Sequence, residues 1–179
     1  MQNFIMFLTF SRIFFGPLIY VLSVFFEMYL VSLIIFIMCS VTDFFDGYLA
    51  RKFNHESSLG KLLDPIADKI LLCSCLLSVL TLTKDPFVGL FVMMILIREF
   101  WVSAIREFNA LKSNTNLSEV TFLAKIKTTI QFAAIISYYF SFYLELSLGI
   151  FVSTFILFLA VVITFKTGLE YTKKTFHQN

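Results

Sequence analysis

A chain of 179 residues that is 59% hydrophobic and only 15% charged, with 24 phenylalanines, is too apolar for a typical water-soluble domain and reads as an integral membrane protein. A net charge of +2 is too small to argue for a nucleic-acid partner, although a basic face would draw anionic lipids or phosphate substrates. Long apolar blocks without sustained alternation disfavour a β-barrel.

Charge-free stretches run from Ile13 to Phe26, Met28 to Thr42, Ile70 to Thr83, Pro86 to Ile97, Thr128 to Leu144 and Leu146 to Phe165. Only the last reaches the roughly 18 residues that mark a span unaided, and the others reach it if their charged ends sit at headgroup level. The expectation is an all-α integral membrane protein, a six-transmembrane-helix bundle with segments near 8–27, 29–50, 60–83, 86–107, 121–143 and 146–167. It forms one domain over 1–179 with no soluble part attached. The first segment has no basic n-region and no Ala-x-Ala cleavage site, so it is expected to be retained. Asn109 to Glu119 is the longest polar loop, and Gly168 is expected to end the last helix.

Arg12, Arg51, Lys52, Lys61, Lys69, Arg98, Arg106, Lys112, Lys125, Lys127, Lys166, Lys173 and Lys174 fall on one side of this alternating scheme, and Lys84 alone falls opposite. The positive-inside rule then puts the termini and the 51–59 and 108–120 connections in the cytoplasm. Cys39, Cys73 and Cys75 lie in apolar stretches without ligand spacing and read as small buried hydrophobes.

Spans two and three meet in the run VTDFFDGYLARKFNHESSLGKLLDPIADK. Asp43 and Asp46 are three apart and Asp64 and Asp68 four apart, so each pair shares a helix face, and the short connection brings both pairs to one membrane depth. Four converging carboxylates need cations, and an all-oxygen ligand set favours two Mg²⁺ or Mn²⁺ ions over zinc. Such a pair suits phosphoryl chemistry. Gly47, Ala50 and Gly60 are small enough for a ligand to approach the backbone, and Arg51, one turn past Gly47, could hold a phosphate. Singly, each Asp is explained by capping or interfacial solvation, each small residue by helix packing, and Pro65 as a first-turn proline capped by Asp64. Jointly, charged groups at fixed offsets gain nothing as packing.

These residues stand as D-x2-D-G-x2-A-R-x8-G-x3-D-x3-D, which resembles the signature of the CDP-alcohol phosphotransferase family with every position filled. Further runs, TDFFDGYLARK, LGKLLDPIADK, IREFWVSAIRE and AKIKTTIQ, are similar to bacterial members that use sn-glycerol 3-phosphate as acceptor. The resemblance implies a six-helix membrane fold, a homodimer, a site open to the cytoplasmic side of the inner membrane, and a divalent-metal pair. It implies that Asp43, Asp46 and Asp64 are the principal metal ligands, that Asp68 completes the metal site and acts as general base, and that Gly47, Ala50, Arg51 and Gly60 contact the CDP moiety. The expected reaction transfers the phosphatidyl group of CDP-diacylglycerol to sn-glycerol 3-phosphate and releases CMP. Two departures stand out: Ile5 and Met6 replace a Pro and an Asn in the opening segment, and Ala124 replaces a Gly before Lys125 and Lys127.

A phosphate-bearing acceptor needs a cationic pocket, for which Arg98, Arg106, Lys125 and Lys127 are the candidates. Arg98 leads, because an arginine a turn or more inside a span needs a partner or an anionic ligand. Glu99 is expected on another part of the helix. Thr9, Arg12 and Gln131 are candidates for polar roles beside the site. Tyr171, Lys173, Lys174 and His177 read as a solvated anchor, and His55 as an exposed loop residue. The alternatives are an acceptor such as phosphatidylglycerol, serine or inositol, a cation transporter, and a structural protein whose aspartates only pair helices. The last would need as many nearby bases as acids.

Overall fold

The computed structural model describes the backbone of residues 2–53, 58–111 and 122–177, and the side chains of residues 6–43, 60, 63–111 and 126–176. The helices are α1 (Gln2–Val24), α2 (Tyr29–Phe53), α3 (Ser58–Thr83), α4 (Pro86–Leu111), α5 (Phe122–Tyr143) and α6 (Ser147–His177). Three of the breaks fall where a charged residue interrupts an apolar run: Glu27, Lys84 and Glu145 all adopt left-handed backbone, with φ of 55°, 52° and 52°. At Glu145 the Leu146 amide donates to the Ser141 carbonyl at 3.0 Å, the long bond of a helix-ending turn. Asp85 caps α4, its Oδ1 accepting from the Phe87 amide at 2.8 Å while Pro86 fills the first helical position.

The chain divides into two compact units, Met1–Leu82 with Phe142–Leu144, and Thr83–Ser141 with Glu145–Asn179. In the first, Ile19, Phe36, Ala67, Leu71, Cys75, Leu76 and Val79 are buried. A Cβ on Gly16 would lie 3.2 Å from Ile70 O and Leu71 Cα, so α1 runs very close to the α3 backbone at that point. In the second, Val88, Val92, Ile95, Ile135, Tyr138, Tyr139 and Leu157 are buried. There α5 and α6 are joined by hydroxyl pairs, Ser137 with Ser153 at 2.7 Å and Tyr138 with Thr154 at 2.8 Å.

Large apolar side chains such as Phe7, Phe14, Phe25, Phe87, Phe100, Phe151 and Phe155 point outward, as lipid permits and water does not. Four described segments are long and apolar enough to cross a membrane: Met6–Val24, Leu63–Thr83, Pro86–Leu111 and Ser147–Phe176. The expected six therefore reduce to four on this criterion. The apolar part of α2 among the described residues, Tyr29–Asp43, is shorter. In α5 the buried face is partly polar, carrying Lys127, Gln131 and Ser141.

One alternative and one expectation are corrected. Pro65 lies inside α3, which begins at Ser58, so it is not a first-turn proline. Gly168 does not end α6, which continues to His177; instead the glycine makes room for Arg98, whose Cγ would be 3.1 Å from an added Cβ.

Candidate active site

The first unit carries an acidic cluster. Thr9, Arg12 and Gly16 follow the i, i+3, i+7 spacing that puts them on one face of α1, and the close approach at Gly16 brings that face to α3. From α3 come Asp64 and Asp68, one turn apart, and from α2 comes Asp43. Arg12 gathers them. Its Nη1 donates to Asp43 Oδ1 and, at 2.6 Å, to Asp68 Oδ1, and Nη2 lies 3.4 Å from Asp64 Oδ1. Thr9 Oγ1 also donates to Asp64 Oδ1, at 2.7 Å.

The Arg12 side chain is fully buried, whereas those of Asp43, Asp64 and Asp68 are 43%, 43% and 51% exposed. The carboxylates are thus open to a ligand while the guanidinium that orders them is not. Three carboxylates against one guanidinium leave two negative charges over among these described residues. Among the described residues no group of His, Cys, Asp or Glu closes on its own into an ion site, and the point these aspartates share is the guanidinium. The donor set nevertheless fits a hard divalent ion: every group is a carboxylate oxygen, and the charge is in excess. Asp46, Gly47, Ala50 and Arg51 lie on the later turns of α2, with their side chains outside the described residues, as is that of Lys125. His55 falls outside the described residues altogether, and Gly60 lies in the first turn of α3.

The second unit carries a basic cluster. Glu99 Oε1 accepts from Lys127 Nζ at 2.5 Å, Arg98 Nη1 at 3.3 Å and Gln131 Nε2 at 3.4 Å. Arg98 Nη2 donates to Thr167 Oγ1 at 2.6 Å, and Gln131 Nε2 lies 3.2 Å from Thr164 Oγ1. Arg106 Nη2 donates to Tyr171 Oη at 3.2 Å, and the guanidinium sits 5.1 Å from the centre of the same ring. Lys127 and Gln131 are one turn apart on α5, while Thr164, Thr167, Tyr171 and Thr175 recur every three or four residues along α6.

Among the described residues the Nε of Arg98 and the Nε of Arg106 are buried without a hydrogen-bond partner. Each such donor costs about 1–3 kcal/mol, which an anionic ligand can relieve.

Of the four basic residues singled out in the sequence, Arg98 and Lys127 are brought together on Glu99. Arg106 contacts Tyr171 instead. Two corrections follow. Glu99 is not turned away but bonds both cations, because long side chains span the roughly 100° between successive helix positions. Tyr171 is not part of a solvated tail: it is 2% exposed, packs with Val102 and holds Arg106. The missed signal was the recurrence of Thr164, Thr167, Tyr171 and Thr175 on one face of a helix whose apolar stretch ends at Lys166.

An all-α, multi-pass membrane protein that collects excess acid in one cluster and excess base in another is built to handle charged groups at the membrane. The profile of the CDP-alcohol phosphatidyltransferase family matches residues 3–166. The CDP-diacylglycerol–glycerol-3-phosphate 3-phosphatidyltransferase of Rickettsia felis is 40% identical over 147 residues, covering 78% of this chain and 76% of the relative. The protein of the same name from Wigglesworthia glossinidia brevipalpis is 34% identical over 140 residues, covering 78% and 75%. That of Cereibacter sphaeroides is 48% identical over a shorter match of 105 residues, covering 58% and 47%. The chain belongs to the CDP-alcohol phosphatidyltransferase family.

Proposed function

We propose that this protein transfers the phosphatidyl group of CDP-diacylglycerol to sn-glycerol 3-phosphate, giving phosphatidylglycerophosphate and CMP. The relatives of this name support the substrates. The carrying observation is that, among the described residues, Asp43, Asp64 and Asp68 share one buried arginine, a three-to-one excess of acid, and stay half open. A structural ion pair would balance its charges.

Asp43, Asp46, Asp64 and Asp68 are the residues that would hold two Mg²⁺ or Mn²⁺ ions. When bound, these offset the negative charge of the diphosphate and of its leaving group. Arg12 and Thr9 hold Asp43, Asp64 and Asp68 in place through their Oδ1 atoms. Gly47, Ala50, Arg51 and Gly60 receive the CDP group. The acceptor hydroxyl oxygen bonds to the β-phosphorus, the bond from that phosphorus to the bridging oxygen breaks so that CMP leaves, and Asp68 takes the hydroxyl proton. Asp68 suits this role as the most exposed of the three described carboxylates.

Arg98, Arg106, Lys125 and Lys127 bind the acceptor's phosphate. The bonds from Arg98 and Lys127 to Glu99, and the buried guanidinium donors left over, support this assignment. In this reading α2 and α5 complete six crossings, residues 1–179 act as one catalytic domain, the site faces the cytoplasm at the inner membrane, and the protein works as a homodimer among membrane lipids.

The test is purified protein with CDP-diacylglycerol and Mg²⁺ or Mn²⁺, offered sn-glycerol 3-phosphate, serine, inositol or phosphatidylglycerol, with CMP and lipid product followed. Product with glycerol 3-phosphate alone is the expected result. Product only with another alcohol would reassign the acceptor, and none with any would end the proposal.

A further inference from the structure

Glu99 has a place that neither ordinary helix packing nor the transfer chemistry requires. Three donors from two helices, Lys127 Nζ, Arg98 Nη1 and Gln131 Nε2, converge on one of its oxygens, Oε1, at 2.5, 3.3 and 3.4 Å. One anionic oxygen surrounded by an ammonium, a guanidinium and an amide is how a protein holds a phosphate oxygen. We propose that Glu99 is a displaceable stand-in for the acceptor's phosphate, keeping its seat assembled in the empty protein and yielding the donors when a phosphate arrives. This rests on the reading that the acceptor carries a phosphate.

Charge and anchoring both support exchange. Arg98 and Lys127 against Glu99 leave one positive charge over, so a phosphate dianion satisfies the pair better than a single carboxylate does. Two of the three donors also have other anchors, while Lys127 bonds Glu99. Arg98 Nη2 bonds Thr167 Oγ1 at 2.6 Å, and the stem of Arg98 lies against Gly168. Gln131 is tied to Thr164 at 3.2 Å. Loss of the Glu99 charge therefore leaves Arg98 and Gln131 anchored, frees Lys127 to meet a ligand and removes a competitor, so affinity for an anionic ligand rises. If the contact only fastened α4 to α5, its loss would weaken the fold to the same degree with or without ligand.

The experiment compares the parent with Glu99→Gln, which keeps the shape and loses the charge, and Glu99→Asp, which keeps the charge and withdraws the carboxylate by one methylene. Thermal unfolding in detergent is followed with inorganic phosphate, sn-glycerol 3-phosphate or glycerol added, alongside steady-state kinetics. Phosphate and glycerol 3-phosphate should raise the unfolding midpoint of Glu99→Gln more than that of the parent, and glycerol should not. KM for glycerol 3-phosphate should fall roughly five-fold or more in Glu99→Gln, with Glu99→Asp between the two. If Glu99→Gln does not fold, Glu99→Asp is read against the parent on the same two measures.

Equal phosphate-induced shifts and an unchanged or raised KM in the variants would overturn the proposal. The phosphate shift needs no turnover. Unchanged shifts in an active enzyme would thus strike this inference alone, whereas a parent that makes no product from glycerol 3-phosphate would strike the acceptor reading.

Discussion

Replacing Arg12 by Met removes the cation that Asp43, Asp64 and Asp68 share while keeping much of its hydrocarbon volume, so the cavity left behind is small. Deleting one partner of a fully buried ion pair costs about 3–5 kcal/mol. Here the arginine is fully buried but the carboxylates are about half exposed, and water re-solvates them. The loss should therefore fall to about 2–3 kcal/mol. For a chain of this size that corresponds to a drop in unfolding midpoint of roughly 4–12 °C. The assay is thermal unfolding in detergent, first with EDTA and then with Mg²⁺ or Mn²⁺. With EDTA the variant should unfold well below the parent. Divalent ions should then raise its midpoint more than the parent's, because its carboxylates have lost their internal cation. Arg12→Lys, a point charge without the fork, should fall between. A variant that unfolds with the parent in EDTA and responds no more strongly to divalent ions would refute the account of Arg12 as organiser of the cluster.

Asp68→Asn should lower the rate of CMP release by roughly 10²-fold or more, with Arg12 still bonded to Asp43 and near Asp64; normal turnover would remove Asp68 as the base. Gly168→Ala places a methyl 3.1 Å from Arg98 Cγ and should raise KM for glycerol 3-phosphate by roughly three- to ten-fold through displacement of the guanidinium. Its unfolding midpoint should not drop, since alanine favours a helix over glycine by about 1 kcal/mol, and an unchanged KM would show that Gly168 does not set the seat of Arg98. Tyr171→Phe loses the 3.2 Å hydrogen bond from Arg106 but keeps the ring beneath the guanidinium. It should cost about 1 kcal/mol of stability and a few-fold in acceptor KM, and Tyr171→Leu should cost more; equal kinetics in both would free Arg106 from dependence on Tyr171.

The helix count was legible because three turns fall on charged residues between apolar runs, Glu27, Lys84 with Asp85, and Glu145. Asp43, Asp64 and Asp68 were legible for a related reason: carboxylates at helical offsets next to hydrocarbon have few inexpensive explanations. The lower part of α6 was not. Hydropathy falls at Lys166, yet the helix continues because Thr167, Tyr171 and Thr175 meet Arg98, Arg106 and Asn109 of α4 one after another. A ladder of polar contacts between two helices carries no hydropathy signal, and its only trace was the spacing of three and four residues. Glu99 is not legible in the sequence, because adjacency to Arg98 implies divergence around the helix, whereas the partner that fixes its position, Lys127, lies 28 residues away on another helix.

Arg12 and Glu99 do similar jobs with opposite charges. Each is a counter-ion that keeps like-charged groups gathered where bare charges could not be sustained. Among the described residues that each one bonds, neither balances its cluster: two negative charges remain around Arg12, and one positive charge remains around Glu99. A contact that existed to join helices would favour full neutralisation, since every leftover charge weakens the join. A contact that keeps a seat ready for a ligand must leave charge over, or the ligand would gain nothing by entering. The two single changes should therefore answer to opposite ligands, Arg12→Met to divalent cations and Glu99→Gln to phosphate, whereas purely structural pairs would give a loss of stability that neither ligand repairs.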